Sequence, residues 1–420
     1  MKRYLTSHSW ITFHLDLTTS SRQLWIGLGE IMSKIDHLSK MPLQPTTSFK
    51  LHQTYLAKGA AATTAIEGNS LSEAEVLEAV QGKLKVPPSK EYLKQEVENV
   101  LEVFNQIINQ IATGALPPLT SSLICDYDRQ ILQNLTLEEG VVPGVFRTHS
   151  VTVGNVYLGA PAEDCEFLMN ELFQWLNGPT FIPPQDAKGI ELTVAYGIIK
   201  AIVAHLYLAW IHPFGDGNGR TARLAEFYIL MSAGVPAPAS HLLSNHYNQT
   251  RAEYYRQLVY ASKSGGDIVP FIEYAVRGFQ DGLRDQLQSV WDQTWKITWE
   301  NYVHELFPFD SSPTDARRHI LTLELGTRND WVDIGAIRTL TPSLTKAYTK
   351  KGQKTVQRDI NKLAELKIID REARRIRAKR ELIFGFCAVR KTEPLAPVIP
   401  IESSSAQMPL PLQLPTAPSG

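Results

Sequence analysis

Residues 198–211 form the most apolar run of the chain, which stops at His212-Pro213 and is followed by glycines at 215, 217 and 219. This feature constrains the chain most. The run is interrupted only by Lys200 and His205, and it is apolar all round, so it predicts a helix buried in a protein core. Pro213 disfavours helical backbone at the residue before it, which ends that helix at His212. A second helix is expected from about residue 218. A glycine-laced corner between two helices therefore sits at the centre of the fold. Glycines there let backbone N–H groups approach a ligand closely. The N-terminus of the second helix adds unpaired donors and the positive end of its dipole. Such a corner is suited to anions, phosphates above all.

The side chains around the corner sharpen that reading. Arg220 and Arg223 lie three apart on the second helix and can reach the same anion. Asp216 supplies one hard oxygen, the donor that suits Mg²⁺ held mainly by phosphate and water. His212 stands where an imidazole can take a proton from a nucleophile. A merely structural turn would need the glycines but not the His, Asp, Asn and two Arg at these offsets.

The remaining pattern predicts a mostly α chain. Alternation over residues 10–17 suggests a strand, and helical periodicity follows at 22–38 and 49–66. Further helices are expected from Ser70 or Ser72 as N-cap, at 90–112 and near 119–134. Two β-prone runs around Gly154-Asn155 predict a hairpin within residues 143–161. Helices resume at about 162–177, 186–211, 218–233, 248–263 and 268–300. From residue 313 the pattern is helix, basic amphipathic helix (Lys354–Leu366), then β-prone runs at Ile368-Ile369 and Leu382-Ile383-Phe384, as in a winged helix-turn-helix. Residues 346–391 carry 15 Lys and Arg against 5 Asp and Glu, a net of +10, although the whole chain is at −1. That local charge points to a DNA phosphate backbone, with protein contact or dimerisation as the competing use. Seven prolines within residues 392–420 predict a disordered tail. The expected organisation is an N-terminal region (1–115) with a helix near 50–68, a catalytic domain (116–305), a winged helix domain (313–391) and the tail (392–420).

Three widely spaced cysteines, Cys125, Cys165 and Cys387, form no CxxC or zinc pattern, which favours a reducing compartment. No targeting segment stands out in MKRYLTSHSW, and no membrane association is expected. A cytoplasmic protein is the expectation. There is no P-loop, and His304-Glu305 does not continue into HExxH. His205 reads as a core histidine rather than half of a metal pair with His212.

The run from His212 to Arg223 resembles the signature of the Fic (filamentation induced by cyclic AMP) family, HPFx(D/N)GNGRxxR, at every defined position, and the likeness extends over roughly residues 10–300. The resemblance implies a Fic-type helical domain with a β-hairpin flap, and transfer of AMP from MgATP to a Ser, Thr or Tyr hydroxyl of a target protein. It implies His212 as general base and Asp216 as Mg²⁺ ligand. Gly217, Asn218, Gly219, Arg220 and Thr221 would bind the nucleotide, and Arg223 would contact its γ-phosphate. Thr63-Thr64-Ala65-Ile66-Glu67-Gly68 is similar to the family's inhibitory (S/T)xxxE(G/N) motif. It implies that Glu67, on one helix face with Thr63, pairs with Arg223 in place of the γ-phosphate. By the same resemblance Val151, Thr152 and Val153 would dock a target segment on the flap. Val153 and Gly154 would line the nucleotide pocket, and Tyr254 and Tyr255 would flank the adenine. Three other uses stay open at this level: removal of AMP instead of addition, transfer of another phosphate-bearing group, and a DNA-binding regulator with a subsidiary Fic domain, which would need a homodimer.

Overall fold

The computed structural model describes residues 2–153, 157–184, 190–307, 312–328 and 330–383. It is mostly helical and divides into two compact units, residues 1–295 and 296–420. The second unit thus starts within the long helix Val269–Leu306, ahead of the expected start at 313. Gly154, the Gly154-Asn155 turn, Cys387 and the Pro-rich tail lie outside the described residues.

In the first unit, helix Ile190–Ile211 runs through the core, with Ile198, Ile202, Leu206, Tyr207 and Ile211 at or near zero exposure. Within it Leu192–Ile211 is long and apolar enough to cross a membrane, yet 83% of that stretch is buried inside the protein. It packs most extensively on helix Asn218–Ser232, with Arg22–Lys40 and Cys165–Leu176 beside it. Helices Pro45–Ile66, Glu73–Val80 and Glu91–Ala112 pack against one another, and Pro45–Ile66 and Glu91–Ala112 also contact Asn218–Ser232. Their ends follow local chemistry. Pro45 occupies the first turn of its helix, where its missing N–H costs nothing, so the helix begins four residues before the expected position 49. Ser72 and Glu75 form a reciprocal capping box.

Residues 10–17 are not a strand. Their apolar side chains lie on the helical core instead: Ile11 is buried, and the Phe13 ring meets Trp175 and Tyr207. No neighbouring strand offers a ladder among the described residues, so alternation here marks an extended packing segment. Around 248–263 two helices stand in place of one, Leu242–Gln249 and Arg251–Lys263, preceded by a turn of helix at Ala237–Ser240. The hairpin consists of Thr152–Val153 paired antiparallel with Tyr157–Leu158.

The second unit holds helices Pro313–Gly326, Pro342–Ala347 and Gln353–Glu365, then a three-stranded antiparallel sheet. Ile369–Glu372 pairs with Arg375–Ala378, which pairs with Val332–Asp333 on its other edge. The second hairpin strand therefore falls in the basic stretch, and Leu382 and Ile383 are in a 3-10 turn instead of a strand. Ile376 and Ala378 are buried while Arg375 is exposed, so a two-residue alternation is present beneath the charge. Buried Asp359 ties the unit together by accepting from Arg317, Arg318 and the Tyr348 hydroxyl.

Two helical glycines test this packing in opposite directions. A Cβ at Gly59 would run into the His241 ring, whereas one at Gly29 meets nothing. Gly59→Ala should cost about 1–3 kcal/mol by overpacking. Gly29→Ala should gain about 0.5–1 kcal/mol by helix propensity. Urea unfolding of the two variants checks both signs.

Candidate active site

The corner joins helix Ile190–Ile211 to helix Asn218–Ser232. His212 turns the chain with φ at +51°, a left-handed conformation that L side chains visit at a cost. Arg147 holds it there. Its buried guanidinium donates to the carbonyls of His212 (2.7 Å), His149 (2.7 Å) and Ala160, and its own backbone N–H donates to the Pro213 carbonyl. These bonds cap the end of the long helix and fasten the flap's flanks to the corner. Phe146 and Phe214 form a bridge alongside. Asn218 closes the loop by exchanging two 2.8 Å bonds with the backbone of Phe214.

Gly217 begins the second helix at φ +77°, and a side chain there would meet Asp128. No side chain caps that helix, so its first-turn N–H groups are left for a ligand. The carboxylate of Glu67 is set against this turn: a Cβ on Gly219 would collide with it. Glu67 also accepts from Arg223 Nη2 at 2.6 Å. Arg223 is fully buried and is gripped further by Thr63, whose hydroxyl accepts from Nε (2.7 Å) and whose carbonyl accepts from Nη2 (2.9 Å). Thr63 and Glu67 are thus on one face of helix Pro45–Ile66, as their spacing requires, and Arg251 secures the end of that helix by donating to the Ala65 carbonyl.

Arg220 is buried between two carboxylates, Glu96 (2.5 Å) and Asp216 (3.0 Å). Its Nε has no acceptor among the described residues. An orphaned buried donor beside an uncapped helix N-terminus fits an anionic substrate such as a nucleotide phosphate. Asp216 uses Oδ1 for Arg220 and for the Gly217 N–H. Its Oδ2 has no bond among the described residues, which fits one hard ligand for Mg²⁺ completed by phosphate and water.

A cavity of about 570 Å³ opens here, lined among others by Glu67, Val153, His212, Gly219, Arg223, Tyr254 and Tyr255. The expected base, inhibitory carboxylate, arginine, flap residue and tyrosine pair therefore converge on one space. Tyr157 and Trp210 add aromatic walls that the spacing does not suggest. Thr221 does not join them. Its hydroxyl is turned to buried Asp128, so any contact with a nucleotide would come from its backbone. The same holds for the side chain of Asn218, spent on the loop. Thr152 on the flap is exposed, while Val151 and Val153 are half-buried.

Burial sets the protonation states. His212 is pushed down to about 4, first by burial and then by Arg147, so it is a neutral imidazole at pH 7. Burial pushes Glu67 up, but Arg223 outweighs it and holds the carboxyl below its ordinary range, ionised. Beneath the tyrosine pair, His205 contacts the Tyr254 hydroxyl (2.9 Å) and Glu226 accepts from Tyr247 (2.9 Å). Burial drives Glu226 up to about 8 and His205 down to about 3, so this floor is polar and uncharged. His205 is a core histidine, as the sequence suggests.

Sequence reasoning does not single out Arg147, Glu96, Asn69 or Asp128 as site residues. Glu96, Asn99 and Asp128 do carry a signal: each is a polar residue on the otherwise apolar face of its helix.

Residues 118–230 match the family model described as Fic/DOC family. Protein adenylyltransferase fic-1 of Caenorhabditis briggsae is 31% identical over 216 residues, covering 51% of this chain and 38% of that protein. The chain spans less than half the length of the curated relatives it matches. Among solved structures, Fic-1 (residues 134–508) from C. elegans is 25% identical with a TM-score of 0.50, over 65% of this chain and 73% of that one. A Fic family protein from Desulfovibrio desulfuricans G20 shares the fold with a TM-score of 0.51 at 19% identity, over 87% of this chain and 98% of that one. The likeness to the Fic/DOC family is carried by residues 118–230 of this chain.

Proposed function

We propose that the chain is an autoinhibited protein adenylyltransferase of the cytoplasm, which moves AMP from MgATP to a Ser, Thr or Tyr hydroxyl of a target protein. One observation carries this reading. The Glu67 carboxylate rests on the helix N-terminus and on Arg223, where a phosphate would sit, in the same cavity as a neutral His212. The adenylyltransferase names of the relatives support it.

In this reading the His212 imidazole removes the hydroxyl proton as that oxygen bonds to the α-phosphorus. The bond from the α-phosphorus to the α–β bridging oxygen breaks, and pyrophosphate departs. First-turn N–H groups, Arg220 and Arg223 stabilise the charge that develops on the phosphates. Mg²⁺ bound at Asp216 would neutralise phosphate charge. Val153 and the flap edge would align the target segment by main-chain bonds, and an aromatic ring of the Tyr254-Tyr255 pair would pack by the adenine. The charge logic of Glu67 is unchanged if the enzyme also removes AMP.

A second activity is favoured by the second unit. Lys350, Lys351, Lys354, Arg358, Arg371, Arg374 and Arg375 are exposed, and none has a carboxylate partner among the described residues. They lie along helix Gln353–Glu365, in the segment before it and on the hairpin after it. This supports a winged helix that contacts a DNA backbone, with a homodimer doubling the contact.

Three outcomes are expected. With α-labelled ATP and Mg²⁺, the wild type should label itself weakly and Glu67→Gly strongly. Adding His212→Ala should remove about 10²–10⁴-fold of that gain; label arriving from the γ-position instead would indicate phosphate transfer. Because His212 titrates near 4, labelling by Glu67→Gly should show no histidine-controlled fall from roughly pH 8 to 5. Arg147→Met removes the cation that disfavours the imidazolium, so the acid limb should move up; Arg147→Lys should leave it in place. Finally, duplex DNA binding by the full chain should weaken steeply with salt. The Lys354→Glu/Arg358→Glu double variant should flatten the log–log slope by about 2, roughly one for each phosphate no longer neutralised.

A further inference from the structure

The carboxylates facing Arg220 differ in character. Asp216 has a side chain 42% exposed and lies on the loop of the corner, four residues before its partner. Glu96 has a side chain only 5% exposed and comes from helix Glu91–Ala112. Its second oxygen accepts from Asn69 Nδ2 at 2.8 Å. Asn69 is bound on every side: its backbone N–H donates to the Thr64 carbonyl, its amide also donates to Leu93, and its side-chain oxygen accepts from the Leu71 N–H. It lies two residues after Glu67, with Gly68 between them at φ +102°. One continuous path of hydrogen bonds therefore joins the turn carrying Glu67 to Asn69, Glu96, Arg220 and Asp216.

Arg220 Nε is the donor left for a phosphate, and it serves only if the side chain is held at the corner and not drawn over to Asp216. Burial and anchoring identify Glu96 as the partner that stays and Asp216 as the one that exchanges. Resting on the nucleotide reading above, we propose that Glu96 is a positioning residue that keeps Arg220 fixed and balanced so that Asp216 is free to let go, and that Asn69 couples this grip to the inhibitory turn. Without the Glu96 charge, the desolvated Arg220 has Asp216 as its remaining carboxylate and binds it more tightly. Without the Asn69 amide, the turn that holds Glu67 on Arg223 loses its anchor to helix Glu91–Ala112.

The test uses the full chain. In the Glu67→Gly background, Glu96→Gln should raise both KM and the calorimetric Kd for ATP with Mg²⁺ by about tenfold or more, with kcat within about threefold. A role confined to folding would instead lower kcat by shrinking the active fraction and leave KM alone. Glu96→Asp, which keeps the charge, should recover part of the affinity. In the wild-type background Asn69→Ala should raise self-labelling several-fold, and in Glu67→Gly it should give no further rise. Unchanged ATP affinity in Glu96→Gln, or a loss confined to kcat, overturns the role of Glu96. Unchanged wild-type labelling in Asn69→Ala overturns the coupling, and this arm decides if Glu96→Gln does not fold. Should the Glu67→Gly parent itself fail to bind ATP, the nucleotide reading falls instead.

Discussion

Two guanidinium groups buried at the uncapped N-terminus of one helix are the constraint around which this site is arranged. Arg220 and Arg223 are both nearly inaccessible, and the helix adds the positive end of its dipole beside them. Positive charge at such density inside protein is stable only next to negative charge. The chain supplies it from three places in the sequence: Glu67, Glu96 and Asp216. Two of the three come from the N-terminal region. In the proposed function that region therefore stands in for the substrate's phosphates.

The groups behind the arginines obey the same electrostatics with the opposite outcome. Glu226 and His205 lie in the same buried layer, and burial keeps both neutral. An ionised Glu226 would give Arg223 a partner in the core and reduce its need for Glu67 or a phosphate. A protonated His205 would add a third cation. His212 is subject to the same rule, with functional effect: burial and Arg147 keep it neutral, the only form in which an imidazole can accept a proton. Arg147 contributes twice, since the carbonyls it binds also hold His212 in its left-handed conformation.

The corner was legible in the sequence because its chemistry is local. Pro213 ends one helix, glycines allow the turn, and the catalytic types stand at fixed offsets over twelve residues. Helix positions were legible where periodicity or a cap marks them, as at Ser72. Residues 10–17 misled because alternation reports which side chains face a surface and says nothing of whether a partner strand exists. The second hairpin strand of the C-terminal unit was hidden because the residues in and around it are mostly basic, and charge outweighed the buried Ile376 in the reading. Glu96 and Arg147 were out of reach for a different reason. Each acts through contacts distant in sequence, Glu96 on Arg220 across 124 residues and Arg147 on His212 across 65, and neither sits in a motif.

In the proposed function, inhibition by a tethered carboxylate has a quantitative logic. Glu67 carries one charge against several on a nucleotide triphosphate, so in free solution it would lose the competition for Arg223. It prevails by being intramolecular, at an effective concentration of roughly millimolar or above that is independent of the cell's nucleotide supply. The helix that presents it is held by Thr63 on Arg223, by Arg251 on Ala65 and by Asn69 on Glu96, so Glu67 is offered to Arg223 from an anchored backbone. A nucleotide that binds open and closed states equally well cannot release it, however abundant. Moving such a switch from about 1:99 to 99:1 takes about 5.5 kcal/mol of differential binding. That sum exceeds what one exposed contact provides. In that reading relief comes from a ligand, partner or modification that acts on helix Pro45–Ile66 and the turn carrying Glu67, while Glu96 stays on Arg220.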